Sequence, residues 1–265
     1  MKETELSGQL EDLIRVMSDL LGENSDFIIR KLTILGKYPA AIFYISNLVD
    51  EKVVNQDVLK PIMFPPEPIR KKEVKLDQLV DVLQLEVLYH AEVQAEAKLD
   101  RLVEEILNGK TVLAVDGLHE AFHIETRHVE KRSITQPETE QVIMGPREGF
   151  IEDLGTNIGL IRYRLPTADF RVKTLHVGRM SKSKVAICYL KGTTHQDLVD
   201  EVEKRLSKID VDDILDVGYL EQFIEDHHLT PFPQTYVSER PDATVGNLIE
   251  GRVAVLVDGS PFAML

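Results

Sequence analysis

The chain states its pattern twice. Gly109-Lys110-Thr111-Val112-Leu113-Ala114-Val115-Asp116-Gly117 returns without a gap as Gly251-Arg252-Val253-Ala254-Val255-Leu256-Val257-Asp258-Gly259, 142 positions later. Residues 26–34 are echoed by 169–177, residues 41–45 by 186–190, and Glu11-Asp12-Leu13 by Glu152-Asp153-Leu154, at offsets between 141 and 145. Solenoid units run only ~20–50 residues, so a period this long means two related lobes. The expected boundaries are residues 1–135 for the first and 136–265 for the second.

Each lobe is long enough for its own core, and 43% hydrophobic residues supply the material for two. A net charge of −14 argues against nucleic acid as a partner, which requires a basic surface. A single cysteine, Cys188, sits in an apolar run and excludes a disulfide framework. The polar, acidic start has no apolar signal core, and no uninterrupted apolar run reaches the ~18–20 residues of a membrane helix. The last five residues, Pro261-Phe262-Ala263-Met264-Leu265, stop inside an apolar segment. They predict that the chain is part of something longer.

Apolar spacing predicts an amphipathic helix at the head of each lobe, through Leu10, Leu13, Ile14, Met17 and Leu20-Leu21, and again from Phe150 to Leu165 with Pro166 as the stop. Two strands follow in each, at 26–35 and 40–48, then 170–177 and 185–190, the second of each pair apolar enough to be central. Helix starts are expected near Asn55-Gln56-Asp57 and Thr194-His195-Gln196-Asp197, whose short polar residues suit an N-cap. Helices at 99–108 and 241–250 should end on Gly109 and Gly251, with Pro241 in a first turn. Leu76, Leu79-Val80, Val82-Leu83 and Leu85 read as the core stripe of another helix. The Val-rich strands then run into Asp116-Gly117 and Asp258-Gly259, strong hairpin turns. Helices alternating with strands give α/β lobes with mixed sheets flanked by helices. The polar, aperiodic stretch 130–145 reads as the junction.

One motif invites a wrong reading. His119-Glu120-Ala121-Phe122-His123 fits the zinc-protease pattern H-E-x-x-H, which needs a helix to put both imidazoles on one face. These residues follow an Asp-Gly turn and have strand character, and i and i+4 on a strand lie ~13 Å apart, beyond the reach of one zinc. No metal and no cofactor is expected here, and His227-His228 has no ligand-spaced companion.

The second half resembles the A subunit of spore germinant receptors, the GerA family of endospore formers. The residues that carry the likeness are Gly145-Pro146-Arg147-Glu148-Gly149-Phe150, Asn157 with Leu160-Ile161-Arg162-Tyr163-Arg164, and Gly178-Arg179-Met180-Ser181-Lys182-Ser183-Lys184-Val185-Ala186. Ile209-Asp210-Val211-Asp212, Pro231-Phe232-Pro233-Gln234, Glu239-Arg240-Pro241-Asp242 and the second Val-rich run complete the series. The first half follows the family loosely. The resemblance implies a soluble N-terminal domain on the cytosolic (spore core) face of the spore inner membrane, ahead of several membrane helices. It also implies a complex with a transporter-like B subunit and a C-subunit lipoprotein, sensing nutrients to trigger ion release. It supplies no catalytic residues.

Three groups are candidates for binding or interface work. Arg147 and Glu148 precede the first helix of the second lobe, where free N–H groups could hold a carboxylate or where the pair could simply tie the lobes together. Arg179, Lys182 and Lys184 belong to a stretch with eight basic residues (Arg162, Arg164, Arg171, Lys173, Arg179, Lys182, Lys184, Lys191) and one acid, Asp169. The stretch reads either as a solvated strand face or as a surface for anionic headgroups or an acidic partner. It lacks the phosphate-loop pattern. Glu239 and Arg240 stand where the first lobe has Ala97 and Lys98, which marks them for a lobe or subunit contact, self-association included.

The sequence supports a non-enzymatic signalling and assembly module, since no nucleophile, base and orienting group occur at workable spacing. The rival is a small-molecule domain that closes the space between lobes on a nutrient.

Overall fold

The structure is a computed structural model, and it describes residues 5–71, 73–88, 92–128, 137, 140, 145–226, 230 and 232–265. The chain divides into two compact units, Met1–His128 and Val129–Leu265.

In the first unit, α1 (Leu10–Leu21) is followed by the hairpin β1 (Phe27–Ile34) and β2 (Tyr38–Ile45). Then come α2 (Glu51–Val53), α3 (Lys60–Met63), α4 (Glu67–Lys71) and α5 (Leu76–Val82), with π-helical turns at Val54–Leu59 and Leu83–Val87. The unit closes with β3 (Val93–Glu96), α6 (Leu99–Leu107), β4 (Thr111–Val115) and β5 (Ala121–Ile124). The second unit runs α7 (Leu154–Arg164), β6 (Phe170–Val177), β7 (Ser183–Leu190), α8 (Gln196–Ser207), α9 (Val217–Ile224), β8 (Val237–Ser238), α10 (Pro241–Ile249), β9 (Ala254–Val257) and β10 (Ala263–Met264).

The sheets have the same topology, β1-β2-β4-β5-β3 and β6-β7-β9-β10-β8. The two-lobed α/β expectation is met, and the mixed sheets resolve to antiparallel pairing in every ladder. Hairpins and the Asp-Gly turns link neighbouring strands directly, so the helices need not serve as parallel crossovers.

Side-chain alternation builds a three-layer second lobe. Ala186, Cys188 and Leu190 of β7 pack with α7 and α10, while Val185, Ile187 and Tyr189 pack with α8 and α9. In the first lobe Ala40 and Ile42 face the core under the short helices. Ala41, Phe43 and Ile45 point the other way and are equally buried, and α1 and α6 lie against β2. Leu10, Leu13, Met17 and Leu21 form the buried stripe of α1.

Gly109 and Gly251 end α6 and α10 with φ of +90° and +91°, and a Cβ there would press on the Leu48 and Thr193 carbonyl oxygens at 3.0 and 3.2 Å. Three local expectations need correction. The helix expected from Asn55 begins at Glu51, because the Asp50 carboxylate accepts from the Lys52 and Val53 N–H groups at 2.8 and 3.4 Å. Phe150 lies on a non-helical segment before α7, which starts at Leu154. Leu85 is 81% exposed, since the buried positions run Leu79, Val82, Leu83 and then Val87 across the π turn.

The repeated Asp-Gly explains itself once both lobes are folded. Asp116 Oδ1 accepts from the Leu10 N–H at 3.0 Å, and Asp258 Oδ1 accepts from the Leu154 N–H at 3.1 Å. The glycine after each donates at 2.8 Å, Gly117 to the Gly8 carbonyl and Gly259 to the Glu152 carbonyl. Each turn therefore supplies a carboxylate to the N-terminus of its lobe's first helix, where backbone N–H groups lack helical partners. The bonds pair Leu10 with Leu154, an offset of 144, so the Glu-Asp-Leu echo three residues out of step is a coincidence.

Candidate functional site

A dense polar constellation lies at the head of α10. Glu140 holds three groups there. Its Oε1 accepts from the Tyr236 hydroxyl at 2.7 Å, and its Oε2 accepts from the Ser238 hydroxyl at 2.6 Å and the Glu239 N–H at 3.0 Å. The Ser238 hydroxyl in turn accepts from the Arg240 N–H at 3.1 Å. Hydrogen bonding to this carboxylate, with some burial, raises the Tyr236 phenol above its ordinary value.

Arg240 faces its own helix. Its guanidinium donates to both Asp242 oxygens at 3.2 and 2.5 Å, and that pairing raises its pKa further. Asp242 also answers the positive end of α10. Glu239 is buried at 7% exposure, and its carbonyl accepts from the Phe150 N–H at 2.8 Å.

That bond brings two candidate groups together. The segment of Arg147 and Glu148 leads straight into Phe150 and is tied down twice more. Glu148 accepts from Arg164 in the last turn of α7, while fully buried Asn157 accepts from the Ile151 N–H at 2.8 Å and donates to its carbonyl at 2.5 Å. Arg147 is exposed. Arg147, Glu148, Glu239 and Arg240 thus frame one edge of the second lobe, where β8 meets the α10 N-terminus.

The third group is elsewhere. Arg179, Lys182 and Lys184 lie on or beside the β6–β7 turn, which is fastened to the loop before α9. The Arg179 guanidinium pairs with Asp210 at 3.4 Å and Asp212 at 3.0 Å, and the Ser183 hydroxyl donates to the Ile214 carbonyl at 2.6 Å. The wider basic stretch does not act as one charged face. Arg162 and Arg171 are buried, the Arg162 guanidinium 4.9 Å from the centroid of the Phe170 ring. Lys173 pairs with Glu203 at 2.9 Å. Lys182 and Lys184 remain exposed.

His119 sits in the β4–β5 turn, its Nδ1 3.2 Å from the Leu6 carbonyl oxygen. His123 lies on β5, 7% exposed, and burial lowers its pKa. The two histidines therefore do not share a helical turn, as the sequence anticipates, although His119 lies in the turn ahead of the strand rather than on it. His227 and His228 lie outside the described residues, as does most of 130–145.

Glu140, Tyr236 and Ser238 carry no motif and were missed by sequence reasoning. A signal existed in the repeat. β3 and β8 match in register, so Glu96 corresponds to Ser238. In the first lobe Glu96 Oε1 accepts from the Ala97 and Lys98 N–H groups at 2.8 and 2.9 Å. A serine in its place leaves a helix head wanting a carboxylate, and Glu140 supplies one.

A profile of the Bacillus/Clostridium GerA spore germination protein matches residues 15–265. Spore germination protein KA of Bacillus subtilis (strain 168) is 36% identical over 247 residues, covering 92% of this chain and 44% of that protein. Spore germination protein A1 of the same organism is 35% identical over 267 residues, covering 100% of this chain and 53% of that protein. The chain spans about half the length of the curated relatives it matches. The crystal structure of the N-terminal domain of the A subunit of the Bacillus megaterium spore germinant receptor GerK3 matches with a TM-score of 0.76 at 29% identity. It covers 100% of this chain and 96% of that one.

Proposed function

The chain belongs to the Bacillus/Clostridium GerA spore germination protein family, and on that premise we propose that it is the N-terminal region of a nutrient germinant-receptor A subunit, a non-enzymatic signalling and assembly module. The observation that carries this reading is the match across the whole chain to the N-terminal domain of such a subunit. Among the described residues no helix is long and apolar enough to cross a membrane, which fits a part carried outside the bilayer, on the cytosolic face of the spore inner membrane. The expected companions are the transporter-like B subunit and the C-subunit lipoprotein.

Within this reading the α10 head and the segment before α7 form a polar edge whose hydrogen bonds are internally satisfied, suited to holding a fixed shape for docking. The test is affinity purification of the full-length A subunit from sporulating cells, with and without Glu239→Ala and Arg240→Ala. Co-purification of both companions with the parent and their reduction in the variants is expected. Normal germination by spores lacking this domain altogether would overturn the proposal.

A second reading, small-molecule binding, draws on a cavity of about 260 Å³ inside the first lobe. Leu6, Leu10, Leu13, Leu99, Val115 and Leu118 line it, and Glu5, Asp12, Arg15 and Glu120 supply charge. Mostly apolar walls with a few polar groups are the usual make-up of a ligand pocket. Thermal-shift screening against amino acids, sugars and nucleotides is the check. A saturable rise with one class favours this reading, and a flat response removes it.

A further inference from the structure

A surface helix in the second lobe exposes what such helices normally bury. Tyr219 and Phe223 on α9 are 49% and 45% exposed, and Leu215, just before the helix, is 63% exposed. Spacing by four places Tyr219 and Phe223 on one side of the helix, and Leu215 is exposed just ahead of the extended N-cap residue Asp216. The opposite side is ordinary core, with Val217 and Leu220 buried against the sheet.

Beside the stripe is Gly218, exposed, with no heavy atom within 4 Å of where its Cβ would be. Glycine destabilises a helix relative to alanine, and no positive φ calls for it at this position. What it provides is a bare patch of backbone in a depression of about 490 Å³, floored by Tyr219, Gln222, Val237 and Phe262.

The duplication serves as an internal control. α5 precedes β3 as α9 precedes β8, and α5 exposes Asp77, Gln78 and Asp81. The same architectural position is polar in one lobe and aromatic in the other, so the fold does not demand the stripe.

Charge narrows the occupant. From Asp210 to Asp226 the sequence has seven carboxylates and no lysine or arginine. Arg179 and Arg205 answer Asp210, Asp212 and Asp226. Asp216, which accepts from the Gly218 N–H and the Ser260 hydroxyl, and Glu221, which accepts from the Thr235 hydroxyl, line the depression as carboxylates whose charge those hydrogen bonds leave in place. Asp213 and Glu225 flank the stripe in sequence. We infer that the α9 face is a docking groove for a basic amphipathic helix of a partner protein, its apolar side on Leu215, Tyr219 and Phe223 and its lysines or arginines toward the flanking carboxylates. This is helix-in-groove recognition, with aromatic residues as anchors. An anionic membrane is disfavoured by the same carboxylates.

The test uses the whole chain and a fluorescently labelled leucine–lysine helical peptide about five turns long with a single apolar stripe. Fluorescence anisotropy should report saturable binding that weakens at least about tenfold in Tyr219→Ser/Phe223→Ser, as loss of anchor residues predicts. That double variant keeps every charge, so unchanged affinity would reduce the interaction to the chain's net negative field and overturn the proposal. Gly218→Gln should also weaken binding while leaving the thermal midpoint the same or higher, which separates obstruction from misfolding. A leucine–glutamate peptide of the same pattern should not bind, and equal binding by it refutes the charge assignment. Equilibrium sedimentation and flotation with neutral vesicles cover the other occupants. A dimer or vesicle binding abolished by the double variant would give the face to a second copy or to lipid instead.

Discussion

The heads of α6 and α10 are the same piece of architecture solved in two ways. In the first lobe Glu96, on the strand that feeds the helix, caps the Ala97 and Lys98 N–H groups from one and two residues away. In the second lobe the matching position is Ser238, and the carboxylate comes from Glu140, 99 residues before the N–H it caps. The local solution costs little chain entropy. The distant one holds Glu140 itself on the lobe while it accepts the Glu239 N–H just ahead of the helix. Duplication conserved the physical requirement, a negative charge at a helix N-terminus, and left the supplier free to change.

The first turns differ in the same spirit. Asp242 is gripped by both arms of the Arg240 guanidinium. Its counterpart Asp100 has a buried Oδ1 with no hydrogen-bond partner among the described residues, where the first lobe has Lys98. A planar fork can reach back along one turn to two oxygens, and a single ammonium does not reproduce that geometry.

The largest expected departure between the lobes comes from Asn157, whose first-lobe equivalent at the offset of 144 is Leu13. Asn157→Leu imports the other lobe's residue and strips the Ile151 N–H and carbonyl of their partner. A loss of about 2–3 kcal/mol is expected for two such groups left unmade, read by urea unfolding. A loss near zero would show that the pre-α7 segment does not depend on this clamp.

Asp116→Ala and Asp258→Ala should behave as twins. Each removes the carboxylate at a helix head and should cost about 1–2 kcal/mol, as helix caps do, in its own lobe. Unequal losses, measured by hydrogen exchange on α1 and α7, would break the symmetry claimed for the Asp-Gly turns.

Glu140→Gln separates the two capping solutions. It should cost about 1 kcal/mol by weakening charge-assisted hydrogen bonds, and the Tyr236 phenol should titrate closer to its ordinary 10.0 in ultraviolet difference spectra. Lys98→Arg works in the other direction, giving Asp100 the fork that Asp242 enjoys. A gain of about 0.5–1 kcal/mol is expected from one hydrogen bond to a formerly unsatisfied oxygen, and no gain would place Asp100 outside the analogy.

The smallest effect is a pH dependence confined to the first lobe. Burial holds the His123 imidazole below 6.5, so the unfolded chain binds its proton first as the pH falls. The stabilisation is therefore complete above 6.5 and is lost as the pH drops through the depressed folded value. Glu105 and Lys110, which face this ring, pull in opposite directions. His123→Leu, the residue at the matching position Leu265, should flatten the stability profile on the acidic side. An unchanged profile would mean the histidine is protonated equally in both states.

Much of this was legible in the linear pattern. Strands β1, β2, β6 and β7 were readable because period-two or continuous apolar runs have few other solutions, and Gly109 and Gly251 because a left-handed cap admits little else. Asp50 was missed in favour of Asn55 because both are good caps and only packing chooses between them. Leu85 was misplaced because a π turn shifts the helical period by one residue, which no local preference announces. In the candidate site, Glu239 and Arg240 stood out as departures from the repeat, whereas Glu140 lies in an aperiodic stretch that offers no periodic signal.

The sequence alone determined that there are two lobes of one kind, which residues form their strands, and that His119 and His123 do not share a helix. Those conclusions follow from short-range periodicity and self-similarity, which the order of residues contains directly. Tertiary structure decided what the Asp-Gly carboxylates bind, that Glu140 replaces Glu96, that most of the basic stretch is buried or paired, and that Tyr219 and Phe223 face outward. Each of these depends on which distant groups arrive at the same point in space, and spacing along the chain does not encode that.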